Sequence, residues 1–310
     1  MLAVGKLLVA SEVHRNEVAT RRPQNRRMTT LIDSSHISAF NNSRLKIAYA
    51  RTETWLFNVA LPFWGGPGVD FEHGGFYEKF DQRGIVVPDA PRRTRVVARQ
   101  IYYLAPAVRM GSSGDWTTIV DHGAAALFDR CIREDGLVIS TYDEGGRILN
   151  ADFDFYDHAF ALFALAELKR LDKYREQATA AAMKMLGAME QRFLHPIAGF
   201  AEDDRKSVPL RANPHMHFLE ACLAHAELDG ASSVWREWAD GIVRMAMTYF
   251  IDPETGGLRE FFDYQWQPMP DESGRLIEPG HQFEWSWLLR WWNKRAGDSA
   301  VEDAARKLIS

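Results

Sequence analysis

Apolar residues recur at three- and four-residue spacings over nine stretches of this 310-residue chain. The stretches are 43–59, 92–108, 116–132, 155–171, 173–193, 213–228, 233–250, 281–294 and 299–309. That period predicts helices with one buried face. Between pairs of helices lie short segments of a shared kind: His73-Gly74-Gly75-Phe76-Tyr77, Asp135-Gly136-Leu137-Val138, Ala198-Gly199-Phe200-Ala201 and Gly256-Gly257-Leu258-Arg259. Each runs from glycine to an apolar residue, with acidic residues soon after, which suits a tight turn or small hairpin. Gly75, Gly136, Gly199 and Gly257 stand 61, 63 and 58 residues apart. A period near 60 holding two helices and a hairpin predicts a repeated helix pair. Such pairs stack as an open solenoid or close into a double-layered α/α barrel.

Polar residues on the same period favour the barrel. Arg99, His158, His217 and His281 fall near the starts of successive helices, 59, 59 and 64 residues apart. If those helices form an inner ring, the four side chains meet around one pocket. In Asn213-Pro214-His215-Met216-His217-Phe218-Leu219-Glu220, residues two apart point in nearly opposite directions, so His215 and His217 do not suit a shared metal. His217 and Glu220, three apart, share a face and predict an imidazole–carboxylate pair. Asn213 and Pro214 suit the helix start. Pro279-Gly280-His281-Gln282-Phe283-Glu284-Trp285 repeats the pattern, with His281, Glu284 and Trp285 on one face and Trp287 and Trp291 on a neighbouring one, as core. Asp154 and His158 are one turn apart, and Asp157 is the expected helix-start residue. Among the arginines at 92–99, Arg99 is the best placed to hold a sugar oxygen.

Composition narrows the classes. With 46% hydrophobic and 25% charged residues the chain is globular, and a net charge of −5 excludes the basic footprint of a nucleic-acid binder. Cys131 and Cys222 form neither a disulfide framework nor a metal motif, so a reduced, cytoplasmic setting is expected. No apolar run approaches the ~20 residues that span a membrane. Residues 1–27, with Arg21, Arg22, Arg26 and Arg27 after a weak apolar run, read as disordered or as a misassigned start rather than a targeting peptide. Residues 28–310 read as one domain. There is no P-loop, dinucleotide fingerprint or nucleophile elbow.

The segments HGGFYEKFDQRG, YDHAFALFALA, NPHMHFLEACLA and PGHQFEWSWLL together resemble the N-acylglucosamine 2-epimerase superfamily, which includes cellobiose 2-epimerases and mannose isomerases. The PGHQFEW form is most similar to the mannose isomerase branch. The resemblance implies an all-α (α/α)6 toroid-type barrel with short β-hairpins between helix pairs. It implies a small-molecule sugar substrate, with no metal or nucleotide needed for turnover. Carried over by motif, His217 is an acid/base group, and Glu220 is its partner or a substrate contact. His158, Arg99, Glu284 and Trp285 line the sugar site, with His281 on the same wall and Asn213 and Asp154 as further contacts. The family's second acid/base histidine lies in a late Tyr-His motif beyond residue 310, so about nine of twelve helices are expected here. Without that histidine weak or absent turnover is expected, and the open end predicts poor solubility or a compensating homodimer. The expected reaction is aldose–ketose interconversion of the mannose-to-fructose type through a cis-enediolate. The alternatives are a 2-epimerase of the N-acylglucosamine or cellobiose type, an α/α-barrel glycoside hydrolase using Glu220 and Glu284, and an inactive sugar-binding pseudoenzyme.

Overall fold

The computed structural model describes residues 43–230 and 232–310. The N-terminal extension expected at 1–27 lies outside them. Helix α1 (Ser43–Trp55) passes through a π turn into α2 (Leu61–Gly65). Four helix pairs follow: α3 (Thr94–Arg109) with α4 (Trp116–Ala126), α5 (Phe155–Lys169) with α6 (Arg175–Phe193), α7 (Ala212–Asp229) with α8 (Val234–Met245), and α9 (Pro279–Ala296) with α10 (Ser299–Lys307).

Packing sorts the pairs into two layers. The first helices pack side by side in the order α3–α5–α7–α9, and each carries its own second helix on the outside. Composition follows position. In α5 every residue but Tyr156 is buried, and in α7 all but Asn213 and the final turn. A helix apolar all round is one covered all round. Outer helix α8 is amphipathic and buries only Trp235, Ala239, Ile242, Val243 and Met245.

The expected hairpins appear as four equivalent bridges, Val69–Phe76, Ile132–Val138, Leu194–Phe200 and Ile251–Leu258. Gly75, Gly136 and Gly199 take positive φ, as expected, but in the fourth hairpin Gly256 does so instead of Gly257. At Gly199 a Cβ would also lie 2.4 Å from His215 Nε2. Short strands lace neighbouring repeats together. β1 (Arg92–Arg93) pairs with β2 (Thr141–Tyr142), which pairs with β3 (Ile148–Asn150), and β4 (Leu210–Arg211) pairs with β5 (Phe261–Phe262). The first N–H of α3 donates to Ser140 O at 3.1 Å, and that of α7 to Glu260 O at 3.0 Å. Orphan donors of the helix starts are thus satisfied by the next repeat.

At the other end of the inner layer, charged residues cross-link the helices. The buried Glu167 accepts from Arg109 on α3 and from Arg170, which also reaches Glu227 on α7 at 2.9 Å. Trp291 on α9 donates to the same Glu227 at 2.8 Å. Among the described residues no helix is long and apolar enough to cross a membrane.

Candidate active site

The inner helices begin at the hairpin end, so equivalent positions in their first two turns face one another there. Five residues after each helix start come Arg99, Phe160, His217 and Glu284. They form a continuous arc across four helices. Arg99 Cζ lies 4.3 Å from the Phe160 ring centre, Phe160 lies 4.4 Å from the His217 ring, and His217 Nδ1 lies 3.6 Å from Glu284 Oε1. Glu220, one turn beyond His217, places Oε2 3.4 Å from the same Nδ1. Tyr156 completes the wall. Its ring meets His217 edge-on at 5.1 Å, and its hydroxyl accepts from Arg99 Nη2 at 2.8 Å.

His281 lies three residues before Glu284 on α9 and is partly exposed. Its Nδ1 donates to Glu260 Oε1 at 2.9 Å, with Glu278 at 3.8 Å. Burial lowers its basicity, but the hydrogen bond and charge of Glu260 more than offset this, and its pKa is raised. Sequence reasoning missed Glu260. Its one signal was the glutamate at the same place after three of the four hairpins, Glu78, Glu202 and Glu260.

His158 is turned away from this cluster. Its Nδ1 donates to Asp154 O at 2.8 Å, and its Nε2 accepts the N–H of Val138 at 3.1 Å. His215 does the same with Arg211 O at 2.9 Å and Phe200 N–H at 3.1 Å. Gln282 takes the equivalent place on α9, accepting from Leu258 N–H at 2.8 Å. These three side chains clasp the second, third and fourth hairpins to the helices that follow them. Burial drives both imidazoles down, His158 to about 4 and His215 to about 3, so each is neutral. With both ring nitrogens spent on backbone groups, His158 has no nitrogen left for proton transfer. The expected register of Arg99, His158, His217 and His281 therefore mixes clasp and site positions.

Three further expectations change. Trp285 is fully buried in the core, edge-on to Phe250, and does not line the site. Trp287 and Trp291, expected as core, pack against each other at 4.9 Å, Trp291 within the core and Trp287 partly buried against it. Glu284 meets His217 across the helix interface, whereas His281 is held by Glu260. Asp154, not Asp157, caps α5, accepting from Tyr156 N–H at 2.9 Å. Burial works against its charge, but Arg95 and Arg211 prevail and lower its pKa. Asp157 is instead buried against Arg95 and Ser140. Asn213 sits half-buried in the first turn of α7, and its Oδ1 has no partner among the described residues.

One ligand atom from each of His217, Glu220 and Glu284 lies within 4.8 Å of the others, a spacing that could hold a cation.

A double layer of paired helices, with hairpins and a buried imidazole–carboxylate cluster at one mouth, defines the α/α-barrel class. The sequence profile of the N-acylglucosamine 2-epimerase (GlcNAc 2-epimerase) family matches residues 75–310, and the chain belongs to that family. It is 44% identical over 258 residues to a protein named mannose-6-phosphate isomerase from Rhizobium meliloti, covering 82% of this chain and 66% of that one. It is 23% identical to a cellobiose 2-epimerase of Bacteroides fragilis over 81% of this chain and 68% of the relative. The solved cellobiose 2-epimerase of Spirochaeta thermophila superposes with a TM-score of 0.76 at 23% identity, covering 86% of this chain and 70% of that structure. The chain thus spans about two thirds of the length of these relatives.

Proposed function

We propose that this chain carries the site of an aldose–ketose isomerase acting on a hexose of the mannose type. The observation that supports it most is two imidazoles on adjacent inner helices, His217 and His281, each backed by a carboxylate and both at the hairpin mouth. Removing the proton beside a carbonyl needs a base poised near neutral pH and a group that steadies the developing oxyanion. In this reading His281 Nε2 takes the C2 proton of the open-chain sugar. The C–H electron pair forms the cis-enediolate, and Arg99 balances the charge on its oxygens. His217 relays the hydroxyl proton between O2 and O1. Return of the carbon-bound proton to C1 gives the ketose, and return to the opposite face of C2 gives the epimer.

The 44% identical relative carries a phosphosugar in its name. At the mouth of this chain, however, Arg95 is held by Asp154 and Asp157, and Arg211 by Glu202 and Asp154. Cations already paired with carboxylates offer little to a phosphate, so the reading favours the neutral hexose.

The experiment is proton NMR of the chain with mannose, mannose 6-phosphate and N-acetylmannosamine in heavy water. Fructose with deuterium at C1 supports the isomerase. Glucose with deuterium at C2 replaces it with a 2-epimerase. Exchange with none of the sugars refutes it.

A further inference from the structure

The four hairpins share a contact beyond the bridge itself. Two residues after the bridged Phe76, Val138, Phe200 and Leu258 stand Glu78, Ser140, Glu202 and Glu260. Each reaches the start of the inner helix that follows. Glu78 accepts from Arg93 N–H at 3.0 Å, and Ser140 Oγ donates to Asp157 at 2.9 Å. Glu202 accepts from Arg211 Nε at 2.9 Å. In the fourth repeat the partner is an imidazole, with His281 Nδ1 2.9 Å from Glu260. A contact used three times to pin the rim is used once on a titratable ring.

Glu260 also spans two helices. Its carbonyl accepts the first N–H of α7, the helix of His217, while its side chain holds His281 on α9. It is only 6% exposed, so its carboxylate has little water to turn to. The other charges facing His281 are less well placed. Glu278 is half-exposed, 3.8 Å away, and accepts His281's own N–H as a helix cap. Glu284 lies one turn on and contacts His217.

We propose that Glu260 is the positioning residue of His281, holding the proton on Nδ1, aiming Nε2 into the mouth and stabilising the imidazolium formed there. The proposal rests on the reading of His281 as the acid/base group. When Nε2 takes the C2 proton, the N–H bond forms as the C–H bond breaks, and the electron pair stays in the enediolate. The Nδ1 proton remains on Nδ1, donated to Glu260 throughout. A carboxylate that orients an imidazole and balances its charge is the general support for such a base.

The test compares Glu260→Gln with Glu278→Gln in the full chain. Glutamine keeps the shape and an accepting oxygen, and removes the charge. The first readout is the NMR titration of the His281 ring, which needs no turnover. In Glu260→Gln it moves down by about one pH unit or more. In Glu278→Gln it moves by a few tenths of a unit. The second readout is the pH profile with mannose. Its acid limb moves down with the titration, and kcat falls about tenfold or more with KM little changed. An unmoved titration in Glu260→Gln, or an equal shift in Glu278→Gln, overturns the proposal. That holds whether or not the chain turns over sugar, so failure of the isomerase reading and failure of this proposal are separable.

Discussion

Replacing His215 by alanine should destabilise the fold far more than replacing it by glutamine. The imidazole serves two buried backbone groups, accepting from Phe200 N–H at 3.1 Å and donating to Arg211 O at 2.9 Å. Alanine leaves both unpaired. A buried polar group without a partner costs roughly 1–3 kcal/mol, so the pair costs about 2–6 kcal/mol before any cavity term. Glutamine already fills the equivalent place on α9, where Gln282 Oε1 accepts from Leu258 N–H at 2.8 Å and its Nε2 donates to Leu258 O at 3.0 Å. His215→Gln should therefore restore the bond to Phe200 N–H and cost about 2 kcal/mol or less. Urea unfolding at pH 7.5, followed by tryptophan fluorescence, measures both. Equal costs for the two variants, or an alanine cost below ~1 kcal/mol, would refute the clasp.

Acid should weaken the fold early. Burial holds His158 at about 4 and His215 and His225 at about 3. The unfolded value is near 6.5, so between about pH 3–4 and 6.5 the unfolded chain binds protons that the native chain does not. Their contribution is complete above pH 6.5 and is lost as pH falls, at up to ~1.4 kcal/mol per pH unit for each. His281, with its pKa raised, acts in the opposite sense, contributing stability at low pH that is lost as pH rises through its folded value. Unfolding free energies at pH 7.5 and 5 that fail to differ would contradict this balance. Arg99→Lys keeps the charge but loses the flat guanidinium over Phe160 and the fork reaching Tyr156. It should lower kcat/KM for mannose by roughly 10-fold or more with little change in melting temperature, and an unchanged kcat/KM would remove Arg99 from the account.

The repeat and its helices were legible because the inner helices must bury apolar faces, α5 and α7 on nearly every side, and each hairpin needs glycine. Those demands are written locally, at fixed spacing. Strands β1 to β5 were not, since they run two or three residues, and β1, β4 and β5 exist only by pairing across repeats. The site was harder to read for a physical reason. A clasp histidine and a site histidine are both polar, both on the period and only two residues apart in His215-Met216-His217. Periodicity, and the resemblance carried over by motif, put His158 among the site residues, although its helix presents Phe160 there. Helical geometry alone also paired Glu284 with His281, three residues away. In the fold the inner helices bring Glu284 to His217, 67 residues distant, and a hairpin brings Glu260 to His281 across 21. Contacts made by packing between repeats leave no spacing signal within one.

The central claim is that the mouth formed by α3, α5, α7 and α9 does proton chemistry through His281, while His158 only clasps a hairpin. Deuterium exchange into mannose in heavy water, compared between His281→Asn and His158→Gln, tests it most directly. The account predicts exchange lost in His281→Asn and kept in His158→Gln. Exchange kept in His281→Asn and lost in a folded His158→Gln would contradict it.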